Sequence, residues 1–325
     1  MAATQNGTAE RAGAGIDAGK VRVAVRRRRS GGDAPLWLIY ALLLGPLGFL
    51  LVFSYVPAAS ALYHAFTAWD IGAESRWVGL ANFREVFADP VFLKSLVNLG
   101  KLGAFMFVTG MTVPFLVAEL IFHIKSERWN YLCRVLVVLP MIVPGVVVFM
   151  LWKQIYSDAG LLTELLTDLG LHDYVYGWLS HPKTALWAVA FVGFPFVHGF
   201  TVLVYYAGLA NIPGSVLEAA ELDGLGAAGR VFRIHLPLIL QQVKLLVVVT
   251  VINIVNGFES IYILTLDGGP GYETMVPGLY MYLNGFNFQR MGYASAIGLL
   301  MLVFLLLFTI SLNRLMRVEG YEPGK

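Results

Sequence analysis

The sequence predicts an all-α polytopic membrane protein with six transmembrane helices. Composition is the first reason. Of 325 residues, 58% are hydrophobic and only 14% are charged, with mean hydropathy +0.69, whereas a soluble domain carries about 25% charged residues. Too little polar surface is available to coat a water-soluble particle, which excludes a soluble enzyme. Patterning is the second reason: the apolar residues fall in charge-free runs close to the roughly 20 residues a helix needs to cross a bilayer. Charge asymmetry is the third. The formal net charge is only +2, yet seven of the 23 Lys and Arg residues (Arg11, Lys20, Arg22 and Arg26 to Arg29) lie within residues 1–34.

Residues 1–34 read as a disordered, basic cytoplasmic tail retained by its charge, in preference to a nucleic-acid arm. The apolar stretch that follows, 36–63, is too long for the hydrophobic region of a signal peptide, and no clear A-x-A cleavage site comes after it. Charge gaps place spans near 36–63, 102–124, 135–152, 185–209, 245–266 and 291–313. The third is short and holds Pro140, Pro144 and Gly145, which predicts a kinked or broken helix. Such a break is tolerated at membrane depth when neighbouring helices satisfy the freed carbonyls. Residues 35–317 then form one six-span domain, and 318–325 a short cytoplasmic C-terminus.

Orientation follows from the basic residues. With both termini inside, the tail, 125–134, 210–244 and the C-terminal end hold 16 of the 23; the outer segments hold Arg76, Arg84, Lys94, Lys101, Lys153, Lys183 and Arg290. That imbalance fits the positive-inside rule. In the outer segments, 77–83 reads Trp-Val-Gly-Leu-Ala-Asn-Phe, and 160–166 has the spacing of a short amphipathic helix. Trp69, Trp77, Trp152, Trp178 and Trp187 fall near the predicted interfaces, as an aromatic belt would place them. Cys133 is the single cysteine, so neither a disulfide nor a cysteine metal site is available. No internal repeat is visible, which weighs against a transporter of duplicated halves.

The most informative segment is the inner loop 211–244. Pro213 and Gly214 end the fourth span. Ser215 and Glu218 have capping-box spacing, so a short helix is expected to start there, with small Ala219 and Ala220 beside Val216, Leu217 and Leu222. Asp223-Gly224 signals a turn, and a second helical piece is expected to run to about Ile234 and stop at Leu236-Pro237. The product is a helix–turn–helix knob whose small residues let another backbone approach.

The order Glu218-Ala219-Ala220, three residues, Gly224, nine residues, Ile234-x-Leu236-Pro237 resembles the EAA signature of binding-protein-dependent ABC importer permeases. Further pieces resemble the carbohydrate-type branch and its maltose-type first permease: Val78-Gly79-Leu80-Ala81-Asn82-Phe83, Leu139-Pro140 with Trp152-Lys153 downstream, Ala207-Gly208-Leu209-Ala210-Asn211-Ile212-Pro213, and Gly268-Gly269-Pro270 ahead of Thr274. The resemblance runs from about residue 36 to 317. Two positions depart from it: Leu225 stands where Ala is usual after Asp-Gly, and Gln241 where Pro often follows Leu-Pro.

The resemblance implies a type I ABC importer permease fold, N-in and C-in, in a bacterial or archaeal cell membrane. It implies that Glu218, Ala219, Ala220, Asp223 and Gly224 dock into a separate ATPase, with Ile234, Leu236 and Pro237 supporting the base. It further implies a second homologous permease, a pair of ATP-binding subunits and an extracellular or periplasmic solute-binding protein, beside membrane lipid and no nucleic acid. ATP and Mg would be bound by the partner: no G-x-x-x-x-G-K-[ST] loop occurs in this chain. The exposed glycine-rich loop with Gly268, Gly269, Pro270 and Thr274 is expected to meet the binding protein.

For the solute, Asn253, Asn256 and Glu259 form an i, i+3, i+6 polar stripe on the fifth span, about 120° wide on a regular helix. Charged groups at membrane depth usually face an aqueous cavity or a protein interior. His198, Tyr205 and Tyr206 on the fourth span add ring faces and hydrogen-bonding groups suited to a neutral polyol. Other functions stay open at this point: an ion-gradient-driven secondary transporter, for which only Glu119 and Glu259 could relay charge; a membrane-embedded enzyme, although the six histidines are scattered without a triad or H-E-x-x-H; or an ABC permease for a non-sugar solute such as a polyol phosphate.

Overall fold

Several helix ends among the described residues fall where proline, glycine or a capping carboxylate breaks the apolar runs. The computed structural model describes residues 36–72 and 74–316; the expected tail 1–34 and the C-terminal segment 318–325 lie outside the described residues. The chain divides at Ser54 into two units. In the first, α1 (Leu36–Leu50) is apolar throughout, contains Pro46 and buries none of its described side chains.

The second unit opens with α2 (Val56–His64) and a two-residue antiparallel ribbon, β1 (Thr67–Ala68) with β2 (Arg76–Trp77). Then come α3 (Ala81–Ala88), α4 (Pro90–Phe122), α5 (Glu127–Val138), α6 (Gly145–Ile155) and α7 (Leu161–Asp168). They are followed by α8 (Ala185–Ala190), α9 (Gly199–Ala210), α10 (Gly214–Leu222), α11 (Ala227–Arg230) and α12 (Leu236–Leu238). The last elements are α13 (Leu240–Asn256), α14 (Glu259–Thr265), α15 (Pro277–Tyr282) and α16 (Met291–Leu315).

Four stretches are long and apolar enough to cross a bilayer, namely Tyr40–His64, Pro90–Phe122, Leu240–Thr265 and Met291–Leu315, and bent pairs bring the total to as many as six. The expected break in the third span is present: Glu127–Ile142 and Gly145–Ile155 meet at 85°, with Pro144 in extended conformation between them. Lys153 Nζ donates to the Ile263 carbonyl (2.9 Å) and fixes the second half against α14.

Three spans differ from expectation. The second starts at Pro90 instead of 102, because Asp89 caps the helix through the Val91 N–H (2.8 Å). The fourth, expected to be continuous over 185–209, is broken into α8 and α9 around Gly193 (φ +89°) and Pro195, which has no N–H for a helical ladder. The fifth begins at Leu240, and its ladder is interrupted where Gly257 turns extended (φ −75°, ψ 98°).

Helix α4 is the axis on which the rest is assembled. One apolar cluster joins Ala118 and Ile121 of α4 to Val202, Tyr205 and Leu209 of α9, Ile239 and Leu246. A second joins Leu102 of α4 to Leu186, Ile261, Met275 and Leu279. At the end of α4 remote from α10, polar groups do the fastening. Asn98 Nδ2 donates to the carbonyls of Tyr272 and Met275 (3.0 Å each), and Lys94 Nζ reaches the Gly271 carbonyl and Glu273 (2.8 Å each). Asn82, in the Val78–Phe83 segment, likewise donates to the carbonyls of Ala65 and Thr67 (2.9 Å each).

Asp89 sits at this end under the hydroxyls of Tyr280 and Tyr293, the latter at 2.8 Å. Burial alone would push its carboxyl up. The two tyrosine hydroxyls and the N–H groups of Val91 and Phe92 outweigh burial and hold it below its ordinary 3.8. Burial, aided by the bond to Asp89, pushes the Tyr280 phenol up to about 12. A carboxyl lowered by folding stabilises the fold above its unfolded-state value, and that contribution disappears as pH falls through the lower folded-state value. Acid unfolding of the detergent-purified protein should therefore contain a component below pH 3.8. Asp89→Asn should be less stable at pH 7 and lack that component; an unchanged acid limb in the variant would contradict the assignment.

Candidate functional site

The knob is built from short-range rules. Asn211 ends α9, Pro213 (φ −59°, ψ 134°) redirects the chain, and α10 leaves at 75° to α9. Exposed Glu218 and Glu221 mark α10 as a projection and not the continuation of a span. Val216 and Leu217 lean on the cluster of Ile121, Leu209 and Ile239. Glu218, Ala219, Asp223 and Gly224 face outward, and Leu222 stands 89% exposed at the tip. Ala220, expected on the same outward surface, is instead only 2% exposed and turned toward the body of the protein.

The turn closes as a Schellman motif: Leu225 N–H donates to the Ala220 carbonyl and Gly224 N–H to that of Glu221 (3.1 Å each). Gly224 has φ +72° with open space where a β-carbon would stand. Its conformation, not crowding within the chain, accounts for glycine there. Two local expectations fail. Ser215 lies inside α10 with Pro213 at the N-cap, so no capping box forms. Pro237 does not stop the second piece: a π-turn over Val231–His235 feeds directly into α12, the wider loop absorbing the missing N–H. Ile234 and Leu236 are half-buried at this base, and Pro237 is exposed.

Beneath the base lies a pair that the sequence pattern did not reveal. His235 is 1% exposed and Glu119, near the end of α4, is 7% exposed. Nδ1 of His235 lies 2.9 Å from Oε1 and 3.1 Å from Oε2 of Glu119. With Glu119 ionised, the carboxylate only accepts and the Nδ1–H tautomer of His235 is the donor. Each residue looks like an isolated polar group in an apolar run, and their separation of 116 positions leaves no local signal.

A cavity of about 430 Å³ lies among α4, α9, α13 and the 139–142 turn. His198 and Asn253 line it together, joined by Thr109, Thr201 and Thr250. The other expected pathway residues are elsewhere. The break at Gly257 takes Glu259 to the start of α14, out of the stripe, and Asn256 donates to the Ile252 carbonyl of its own helix (3.0 Å). Tyr205 is core, edge-on to Phe115. Tyr206 donates to Asn130 Oδ1 (2.9 Å) beneath the Arg134 guanidinium, toward the knob end. Threonine signals were missed because Thr hydroxyls often serve only their own helix, as Thr109 does toward Phe105.

The glycine-rich loop is less exposed than expected. Gly268 and Thr274 are buried, and Gly269 and Pro270 are half-buried. Thr274 N–H donates to the Gly268 carbonyl (2.9 Å), while its hydroxyl bonds that of Thr265 (2.8 Å). A β-carbon on Gly268, at φ +88°, would stand 2.6 Å from Met275 Cε. Only Gly271 and Tyr272 at the tip, with Leu266 and Asp267 before it, are open.

This arrangement matches known proteins. Residues 99–318 match the family described as "Binding-protein-dependent transport system inner membrane component". The chain belongs to that family. The permease component is 32% identical to the "Probable ABC transporter permease protein YesP" of Bacillus subtilis (strain 168), over 92% of this chain and 94% of the relative. It is 29% identical to the "Diacetylchitobiose uptake system permease protein NgcF" of Streptomyces coelicolor, over 92% and 88%. Among solved structures, a bacterial alginate ABC transporter in complex with an alginate pentasaccharide-bound periplasmic protein superposes with TM-score 0.75 at 25% identity, covering 86% of this chain and 94% of the other. The permease component is thus a multi-pass, non-enzymatic membrane subunit of the type I ABC importer fold.

In Gly224→Ala, the left-handed angle of the knob turn should cost about 1–2 kcal/mol. The check is amide hydrogen exchange, which should accelerate at residues 224 and 225 while the α4 amides keep their protection.

Proposed function

We propose that this permease subunit imports a sugar or oligosaccharide by ATP-driven alternating access. It would work with a second homologous permease, a pair of ATP-binding subunits that bind ATP and Mg, and an extracellular or periplasmic solute-binding protein. The setting is a bacterial or archaeal cell membrane, with both termini cytoplasmic. Family membership supports the transport reading, and the diacetylchitobiose and alginate systems among its relatives support the carbohydrate class.

The observation that carries the proposal is the knob. An 89% exposed leucine on a capped, rigid tip beside Glu218, Ala219 and Gly224 is an unpaired apolar anchor, the kind of group that fills a pocket at the centre of an interface. The ATPase would take this tip in a cleft, with Ile234, Leu236 and Pro237 supporting it. At the far end, the open tip with Gly271 and Tyr272 would meet the binding protein, the buried Gly268 and Thr274 and the half-buried Gly269 and Pro270 holding its shape. Between them, His198, Asn253 and the threonines offer hydroxyl, amide and imidazole groups to sugar hydroxyls.

Replacing a highly exposed leucine should leave the isolated chain intact. Leu222→Asp should unfold at the wild-type temperature, yet copurify with at least tenfold less ATP-binding subunit and lose ATP-dependent uptake of labelled oligosaccharide in vesicles. Retention of the subunit by the variant, or ATP-independent uptake by this chain alone, would overturn the proposal.

A further inference from the structure

Alternating access requires that displacement of the knob reach the cavity, which the knob's tip does not line. The knob's base does touch α4, by apolar packing and, among the described residues, by one buried polar contact. His235 belongs to the π-turn between α11 and α12, and Glu119 lies one turn before the end of α4. The edge-on Phe122 ring (5.7 Å between centroids) and His123 (6.1 Å) wall the pair off from water. His123 is itself tied down by its Nδ1 contact with the Glu119 carbonyl (2.8 Å). We propose that Glu119 and His235 are positioning residues for energy coupling: a buried pin through which a push on the knob displaces α4.

The geometry favours a pin over packing alone. Apolar contacts at the base, such as Ile239 against Ala118 and Ile121, have no fixed register and allow sliding. One N–H held between two carboxylate oxygens does not, because sliding would break both close contacts of a buried carboxylate whose next imidazole nitrogen, His123 Nδ1, lies 3.8 Å from Oε2 and is engaged with the Glu119 carbonyl. Downstream, α4 supplies Thr109 and Gly110 to the cavity. Thr109 lies ten residues from Glu119, about 15 Å along a helix. The helix continues through Pro114 without a break. This inference rests on the proposed function, since a pin has meaning only where an ATPase pushes.

The test uses the assembled transporter with Cys133→Ser and a reporter, Thr250→Cys, in the cavity. The readout is the change in the reporter's rate of maleimide labelling on adding ATP and vanadate, divided by the complex's ATP turnover. His235→Ala and Glu119→Ala should each lower that ratio at least fivefold, and the double variant should be no worse than either single. Glu119→Gln, which keeps an acceptor of the same shape for the Nδ1 hydrogen, should retain at least half of it. A merely structural pair would reduce the amount of complex and leave the ratio unchanged; that result, or losses that multiply in the double variant, would overturn the pin. An unaltered wild-type reporter on ATP addition would instead defeat the functional reading, and the pin with it.

Discussion

A carboxylate shut inside an apolar helix bundle has to meet a donor, and Glu119 meets His235. That requirement ties the base of the knob to α4, and α4 in turn is tied at its other end. There Asn98 holds two carbonyls of the 272–275 segment, and Lys94 holds Gly271 and Glu273. Lys94 and Glu119 are 25 residues apart, about 37 Å along a helix. One helix, fastened by polar groups at both ends and packed by apolar groups between them, therefore joins the two surfaces proposed to meet partners. The fastening is directional where the packing is not. Hydrophobic contact supplies most of the association within each cluster, while the buried hydrogen bonds set the register in which the clusters meet.

The same division of labour explains the breaks. The breaks described in the third, fourth and fifth spans coincide with a proline, which lacks the N–H, or with a glycine that leaves helical angles: Pro144 in the third, Gly193 and Pro195 in the fourth, Gly257 in the fifth. Two of these breaks, those of the third and fourth spans, border the cavity that His198, Asn253 and the threonines line. Irregular backbone at membrane depth is tolerated where it is enclosed by protein or lines a polar cavity, which is the situation here.

The fold was largely legible in the sequence, because hydrophobic runs and proline positions are local signals. The knob was legible in part. Its Asp223-Gly224 signal specified a turn, which the Schellman bonds close, whereas the capping box expected at Ser215 and Glu218 does not form. The inward face of Ala220 and the continuation through Pro237 were not legible, since both depend on what packs beneath. The candidate cavity was legible only at His198 and Asn253. Treating 245–266 as one uninterrupted helix put Glu259 into a stripe that the Gly257 break removes, and Tyr205 and Tyr206 carry the same residue type as a sugar platform while serving the core and Asn130. Glu119 with His235, and Asn98 with its two carbonyls, join residues more than 110 positions apart. No periodicity encodes such a contact; it exists only once the chain is folded.

Whether the knob and the adjoining end of α4 move as one body is the decisive question. Spin labels at residues 120 and 232, occupied by a highly exposed leucine and a highly exposed phenylalanine on the knob, report it directly through their dipolar distance in the assembled complex with Cys133 replaced. A single, superimposable distance distribution without nucleotide and with ATP and vanadate is the expected result. A nucleotide-dependent shift of a helical turn, about 5.4 Å, would mean that the knob moves past α4, and the account would be wrong.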